Sequence, residues 1–491
     1  MSLKSVLGLN PVDVVKNVVR NQTEQVRRLD ASKRIALYQD SCEADLLAQI
    51  NSVFNAPEVR QRLTPFIDMA CATSVFRRIV DETAKQVYNP FPARRVSSDP
   101  GARAYAEFVR EARLDQRLDQ AARLLEATNA VFLFPRWVPS LGRAVLDILT
   151  PDMVSVISHP DDPTTELAVA IDVYVHGQAK PDIEVWDDEV IFRLNPQGNL
   201  VNVGGLLERP NPYGRIPIVG VHRKERWGTY WDTTSGKDLI AGQRAVNLLT
   251  ALVLKLHKSQ GEKQIVVQGD TASTIQNQTL DGEGALVTGE GITITTLDLR
   301  SDANHYNATI DSIIQRVAAN YGISKERLAA SGSGFGGANI GSDTALFERR
   351  SELLQTWATA EQRLFDVCKL VFRGLPGREI PEADKLVVDF REIEARVSMA
   401  DQLSLWETQL SMGLKSVEDM VISMNPEIST SEEAKAEVSR NLESWAQWIG
   451  MRRELNAPSD GSVGQTPQQN GAMRKAPDGV DQMADPLMVP Q

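Results

Sequence analysis

Apolar positions recur at helical spacing through the first 130 or so residues. Val15, Val18 and Val19 share a face of a first segment, and Ile35, Leu46, Leu47 and Ile50 mark a second. Asp30-Ala-Ser32 offers a helix start between them, and two further helical segments run through Arg60–Tyr88 and Gly101–Asn129. Near Val131 the pattern changes. Val131–Phe134, Val154–Ile157, Leu167–Val175, Ile183–Trp186 and Val190–Leu194 are short, rich in Val, Ile and Phe, and separated by Pro, Gly and Asp clusters. This punctuation predicts a mostly antiparallel sheet module over residues 131–232, with Asn195-Pro-Gln-Gly198 as a hairpin turn.

A long helix is predicted next. Ser235-Gly-Lys-Asp238 has capping-box form, and Gly261 supplies a stop. Leu239, Gly242, Val246, Leu249, Val253 and Leu256 make a heptad-like apolar seam, whose plain reading is packing within one core. Arg244, Asn247, Ala251, Lys255 and Lys258 form a separate polar and basic stripe. Residues 262–300 return to strand-like text at Ile265–Val267, Ala285–Val287 and Ile292–Ile294. They are acidic, with Asp270, Asp281, Glu283, Glu290 and Asp298 against Arg300. A second helix over Asn304–Tyr321 brackets this β insert, giving an antiparallel helical stalk with the β module at its tip. After a glycine-rich stretch, a third long helix is expected over Ser342–Arg373, then a strand at Lys385–Phe390 and helices from Val397 to Glu454. Beyond Leu455, Pro, Gly, Gln and Asn dominate, and disorder is expected. The fold class is α+β, mainly helical.

The chain has 491 residues, 42% of them hydrophobic, and a formal net charge of −12. That balance excludes a protein gripping nucleic acid over its whole surface. Three cysteines, Cys42, Cys71 and Cys368, stand far apart in sequence, which fits a reducing compartment and no disulfide scaffold. The N-terminal stretch lacks the features of a secretory signal. The most apolar run, Ala245–Leu256, is too short to span a bilayer, so no membrane role is expected.

Candidate chemistry is sparse. Gly332-x-Gly334-x-x-Gly337 matches a dinucleotide fingerprint as a string, but a helix and a turn precede it where the mechanism needs a strand. Gly336 and Gly341 have phosphate-loop separation, yet Ser342 stands where the lysine belongs and Asp343 adds repulsion. A loop with conformational freedom is the better reading. The five histidines show no helical ligand spacing. His159 with Asp161 and Asp162 reads as a solvated turn, and Asp187-Asp188-Glu189 as a hairpin tip. No serine or cysteine nucleophile carries a local signature. No catalytic residue, metal or cofactor is expected.

The order of elements resembles the portal (head–tail connector) proteins of tailed double-stranded DNA bacteriophages. Three stretches carry the resemblance: Asn211–Ile218 with Asp238–Ile240 and Gln243–Asn247; Gly322–Leu328 with the glycine-rich loop and Asp343–Leu354; and Gly413–Ser416 with Asn425-Pro426 and the Glu-rich run Glu432–Glu443. The resemblance implies N-terminal helices and a β wing over 1–235, stem helices over 236–261 and 303–322, and a clip over 262–302. It further implies a tunnel loop over 323–342, a wing helix and return strand over 343–394, a crown over 395–454 and a disordered tail over 455–491. It also implies a ring of twelve subunits at one capsid vertex, in the virion and assembled in host cytoplasm. The expected partners are double-stranded DNA, the terminase large subunit, major capsid and scaffolding proteins, and adaptor or tail proteins.

By the same resemblance, Ser331, Gly332, Ser333, Gly334, Phe335, Gly336, Gly337, Asn339 and Gly341 form the loop nearest the DNA. Arg244, Lys255 and Lys258 are candidates for a channel-facing basic stripe, and Asp270, Asp281, Glu283 and Glu290 for a docking surface. The resemblance also favours packing of the apolar seam between subunits. The alternatives are a nucleotide-dependent DNA-processing enzyme using the glycine loop, and a capsid or head-completion component with no channel.

Overall fold

The computed structural model describes residues 3–224, 228–261, 264–268, 293–297, 303–324, 340–390, 399–424 and 430–455. The chain divides into two compact units, Met1–Val397 and Ser398–Gln491.

The first unit begins with α1 (Leu3–Leu7), α2 (Pro11–Arg20) and α3 (Gln22–Tyr38). Asn10 and Asn21 start the last two, each accepting a backbone N–H two residues on, at 3.1 and 2.8 Å. The expected start at Asp30–Ser32 does not occur. α3 runs straight through it, and Asp30 instead pairs with Arg34 one turn ahead at 2.8 Å. The long segment expected over Arg60–Tyr88 is also divided. It becomes α5 (Pro57–Leu63), a 3₁₀ turn (Thr64–Phe66), α6 (Ile67–Ala70) and α7 (Val75–Tyr88), following α4 (Glu43–Val53). Pro65 lies in the 3₁₀ turn, and the Ser74 hydroxyl restarts the helix by accepting from Arg77 N at 3.3 Å. Similarly, Arg113 adopts a left-handed conformation (φ 52°) that separates α8 (Asp99–Ala112) from α9 (Leu114–Thr128).

Strand pairing is antiparallel throughout the described residues, and the 131–232 module consists of two sheets. The first has the order β3-β2-β9, with β2 Ala130–Val138, β3 Arg143–Leu149 and β9 Val219–His222. The second is a meander of β4 (Val154–Ser158), β5 (Glu166–Val173), β6 (Asp182–Trp186), β7 (Val190–Leu194) and β8 (Glu208–Pro210).

Period-two alternation builds the layers. On β2, Val131 and Leu133 join a core with α8, α9 and the later helix over residues Ile340–Val371, while Phe132 and Phe134 face the meander. On β5, Val169 and Ile171 meet Phe132 and Phe134. Ala168 and Ala170 turn the other way, toward Leu3 and Val15 of α1 and α2. The expected turn at Asn195–Gly198 is present, closed by Gly198 N donating to Asn195 O at 2.8 Å. Asp187 sits at the β6–β7 tip as expected. It is buried, accepting from Glu189 N and Val190 N and from Leu3 N of α1. His159 lies in a turn, its Nδ1 accepting from Asp161 N.

Among the described residues three helices complete this unit: α10 (Lys237–Gly261), α11 (Ala303–Asn320) and α12 (Ile340–Val371). Between α10 and α11 the chain forms an antiparallel pair, β10 (Gln264–Gln268) with β11 (Thr293–Leu297). Leu353, Trp357, Ala360, Leu364, Cys368 and Val371 make the buried face of α12. The strand β12 (Leu386–Asp389) pairs with β1 (Ala93–Val96), which the sequence reading missed. Arg94 of β1 forms a buried ion pair with Glu361 of α12, which also accepts from the Tyr88 hydroxyl at 3.0 Å.

The second unit contains α13 (Met399–Ser411), α14 (Val417–Met424) and α15 (Ser431–Leu455). Ser416 with Asp419, and Thr430 with Glu433, exchange reciprocal side-chain-to-backbone bonds that open the latter two. The segment past Leu455, expected to be disordered, lies outside the described residues.

Candidate functional site

The stalk formed by α10 and α11 is the feature on which the functional reading turns. Its foot is built by a polar turn. The Asp232 carboxylate accepts from Thr234 N at 2.9 Å, from the Thr234 hydroxyl at 2.9 Å and from Ser235 N at 3.1 Å. Burial favours the protonated carboxyl, but bonds from the Ser235 hydroxyl and amide and from Thr234 outweigh it and hold the group at about 2. The Ser235 carbonyl accepts from Arg34 at 2.9 Å and Asn129 at 2.8 Å. Gly236 follows with φ +78°, and a β-carbon there would stand 2.9 Å from Arg34 Nη1.

The expected Ser235–Asp238 capping box is replaced. Asp238 reaches across to α11, accepting from Asn320 Nδ2 at 2.9 Å and the Tyr321 hydroxyl at 3.3 Å. The start of α10 thus meets the end of α11, so the two helices run antiparallel. A groove of about 770 Å³ opens here, lined by Arg223, Ser235, Asp238, Tyr321, Arg349 and Glu352 among others. Tyr321 lies between two guanidiniums, Arg223 at 5.3 Å and Arg349 at 4.8 Å from its ring. Both arginines share the buried Glu126 carboxylate, at 3.1 and 3.0 Å. Burial lowers the Arg349 guanidinium from its ordinary value and raises the Tyr321 phenol. The end of α9, the start of α10 and the end of α11 are therefore joined by charge and ring contacts.

Higher on α10, two buried amides set its register. Gln243 accepts from Phe76 N at 2.8 Å and donates to Thr73 O at 2.8 Å and to Asn247 Oδ1 at 2.6 Å. The first of these bonds also satisfies the Phe76 N–H in the first turn of α7. Gly242 sits against Val317 of α11, where an added β-carbon would lie 2.6 Å from Cγ2.

The structure divides the sequence-derived stripe. Arg244 is bound by both oxygens of Asp45 on α4, and that pairing raises its pKa. Asn247 and Ala251 are buried. These three therefore do not form a polar outer face with the half-buried Lys255 and exposed Lys258. The seam divides too. Leu239, Val246 and Val253 are buried within the chain, and Leu239 and Val246 join a core with α4, α6, α7 and α11, whereas Leu249 and Leu256 remain partly exposed.

By length and composition, Lys237–Lys258 is able to cross a membrane, contrary to the reading of a twelve-residue apolar run. Gly341 falls in the first turn of α12, which begins two residues earlier than expected. Ser331, Gly332, Ser333, Gly334, Phe335, Gly336, Gly337 and Asn339 lie outside the described residues, as do Asp270, Asp281, Glu283 and Glu290. Among the described residues there is no group of three or more His, Cys, Asp or Glu able to hold a metal. The sequence reading did not bring together Arg34, Glu126, Arg223, Tyr321 and Arg349, which lie in five separate segments and carry no local pattern.

No family model matches the chain, and no curated protein does. Among solved structures, the chain is similar to one from the virion of a native gene transfer agent particle, at 11% identity and a TM-score of 0.41, over 71% of this chain and 88% of the other. It is also similar to one from the neck of the empty particle with C6 symmetry, at 11% identity and a TM-score of 0.42, over 74% and 92%. A third, from the neck of the native particle with C12 symmetry, matches at 11% identity and a TM-score of 0.41, over 74% and 93%.

Proposed function

We propose that this chain is the portal subunit of a tailed double-stranded DNA phage-like particle. Twelve copies form a ring at one capsid vertex, DNA passes through its channel, and the terminase motor and then adaptor or tail proteins dock on it. The observation that carries the reading is the stalk: two antiparallel helices, joined at the foot by Asp238 and Tyr321, with an antiparallel strand pair between them in the chain. At ~1.5 Å per residue, α10 rises roughly 37 Å, long enough to line a channel wall. That element order, followed by the 32-residue α12, is the order the portal resemblance requires.

The electrostatics support a conduit. A channel that held phosphates tightly would arrest DNA, because each neutralised phosphate adds affinity through counterion release. A net charge of −12 per chain, repeated around a ring, favours sliding over gripping. Arg244, committed to Asp45, stays out of the channel wall in this reading. Leu249 and Leu256, the seam positions left partly exposed, are where a neighbouring subunit packs. The chain has no catalytic activity of its own. Native mass spectrometry and negative-stain imaging of the purified full chain test this reading. A perforated ring is expected, and a stable monomer or an unperforated particle overturns it.

A further inference from the structure

Cys42 and Cys71 are 29 positions apart in sequence, yet the fold brings them together. Cys42 stands immediately before α4, and Cys71 immediately after α6. Both are free and buried, at 4% and 5% exposure. The Cys42 thiol donates to the Cys71 carbonyl oxygen at 4.0 Å. Asn247 of α10 donates to the same Cys42 sulfur at 3.4 Å. The third cysteine, Cys368, belongs to a different core on α12.

We propose that Cys42 and Cys71 are a disulfide-forming pair, oxidised by a small-molecule disulfide, that locks the α4–α6 platform beneath the stalk helix. Both residues occupy helix-end turns, where local opening costs less than in a helix interior. Hydrogen bonding from the Cys71 thiol holds the Cys42 thiol below its ordinary pKa against the opposing effect of burial. The same bond, together with burial, raises Cys71. The Asn247 N–H aimed at Cys42 Sγ favours its thiolate, which makes Cys42 the first attacker.

Its thiolate displaces one half of the oxidant's disulfide, and that half departs with the proton Cys42 gave up. Cys71 sulfur then attacks Cys42 Sγ and expels the other half, which takes the Cys71 proton. Two S–H bonds are lost, one S–S bond forms, and the oxidant is reduced to two thiols. The pairing of the two cysteines rests on the geometry. Its use rests on the portal reading, in which the chain assembles in a reducing cell and then persists in a particle outside it.

The test exposes the purified full chain to glutathione disulfide, then alkylates the remaining thiols and reads intact mass and peptide linkages. The expected product has lost two hydrogens, joins the Cys42 and Cys71 peptides, leaves Cys368 alkylatable after unfolding, and reverts with dithiothreitol. Cys71→Ser should stop at a glutathione adduct on Cys42, and Cys42→Ser should give no internal link. A wild-type chain that keeps both thiols, retains a stable adduct, or links through Cys368 overturns the proposal. Imaging the same samples separates the two readings, because absent rings with an intact disulfide count against the portal alone.

Discussion

Gly242 marks a place where the two stalk helices leave no room for a side chain. A β-carbon there would sit 2.6 Å from Val317 Cγ2 and 3.6 Å from Val317 Cβ and Cγ1. Val317 is β-branched and held at χ1 by its own helix, so its methyl yields only if α11 moves. Overpacking of this kind costs about 1–3 kcal/mol. Replacing Gly by Ala inside a helix returns about 1 kcal/mol. Gly242→Ala should therefore be neutral to destabilising, by up to about 2 kcal/mol. Val317→Ala removes both methyls and leaves the nearest atom at 3.6 Å, an ordinary contact. In that background Gly242→Ala should stabilise by about 1 kcal/mol, a change of sign. The coupling energy between the two sites is then roughly 1–3 kcal/mol. Native-state hydrogen exchange of amides in Lys237–Gly261 and Ala303–Asn320 reads this locally, without requiring both units to unfold together. Additivity within about 0.5 kcal/mol would refute the close-approach argument.

Three other expectations are independent of that one. Glu361→Gln leaves the buried Arg94 to pair with Asp115, and should lower stability by about 3 kcal/mol in urea titration. A loss well under 1 kcal/mol would contradict the burial argument. Asp232 is held at about 2, below its unfolded value of roughly 3.9, so its contribution is complete above that value and lost as pH falls toward 2. Wild type should therefore lose more stability across this acid window than Asp232→Asn, and parallel pH profiles by circular dichroism would remove the assignment. Deleting Gly332–Gly337 should leave rings intact and impair DNA packaging or genome retention. Normal packaging by that variant would count against the tunnel-loop role.

In the 131–232 module β2, β4, β5, β6 and β7 were legible because alternating residues bury them on one or both faces, whereas β3, β8 and β9 were not read from the sequence. Val131 and Phe132 need no distant information to declare opposite sides. β1 was hidden because Arg94 and Arg95 occupy half of it, and the distant Glu361, with Asp115, makes burying Arg94 tolerable. The break at Arg113 was equally silent, since a left-handed arginine has none of the composition that marks a glycine stop. The stalk was legible as two helices, but its polar stripe was not. Asn247 reads as a surface residue until Gln243 and Cys42 are placed beside it.

That same polar pair decides what kind of helix α10 is. Length and composition alone allow Lys237–Lys258 to cross a membrane. In a lipid environment Gln243 and Asn247 would each carry unsatisfied donors and acceptors into hydrocarbon, at several kcal/mol per group. Here every partner comes from the chain itself. Thr73 and Phe76 supply the backbone groups for Gln243, Cys42 the sulfur for Asn247, and Asp45 the charge for Arg244. The apolar length of α10 is thus matched to a protein platform along its first half. Beyond Asn247, Ala251 and Val253 are still buried within the chain, whereas the seam positions Leu249 and Leu256 stay partly exposed, and it is there that the portal reading proposed above places an adjacent subunit.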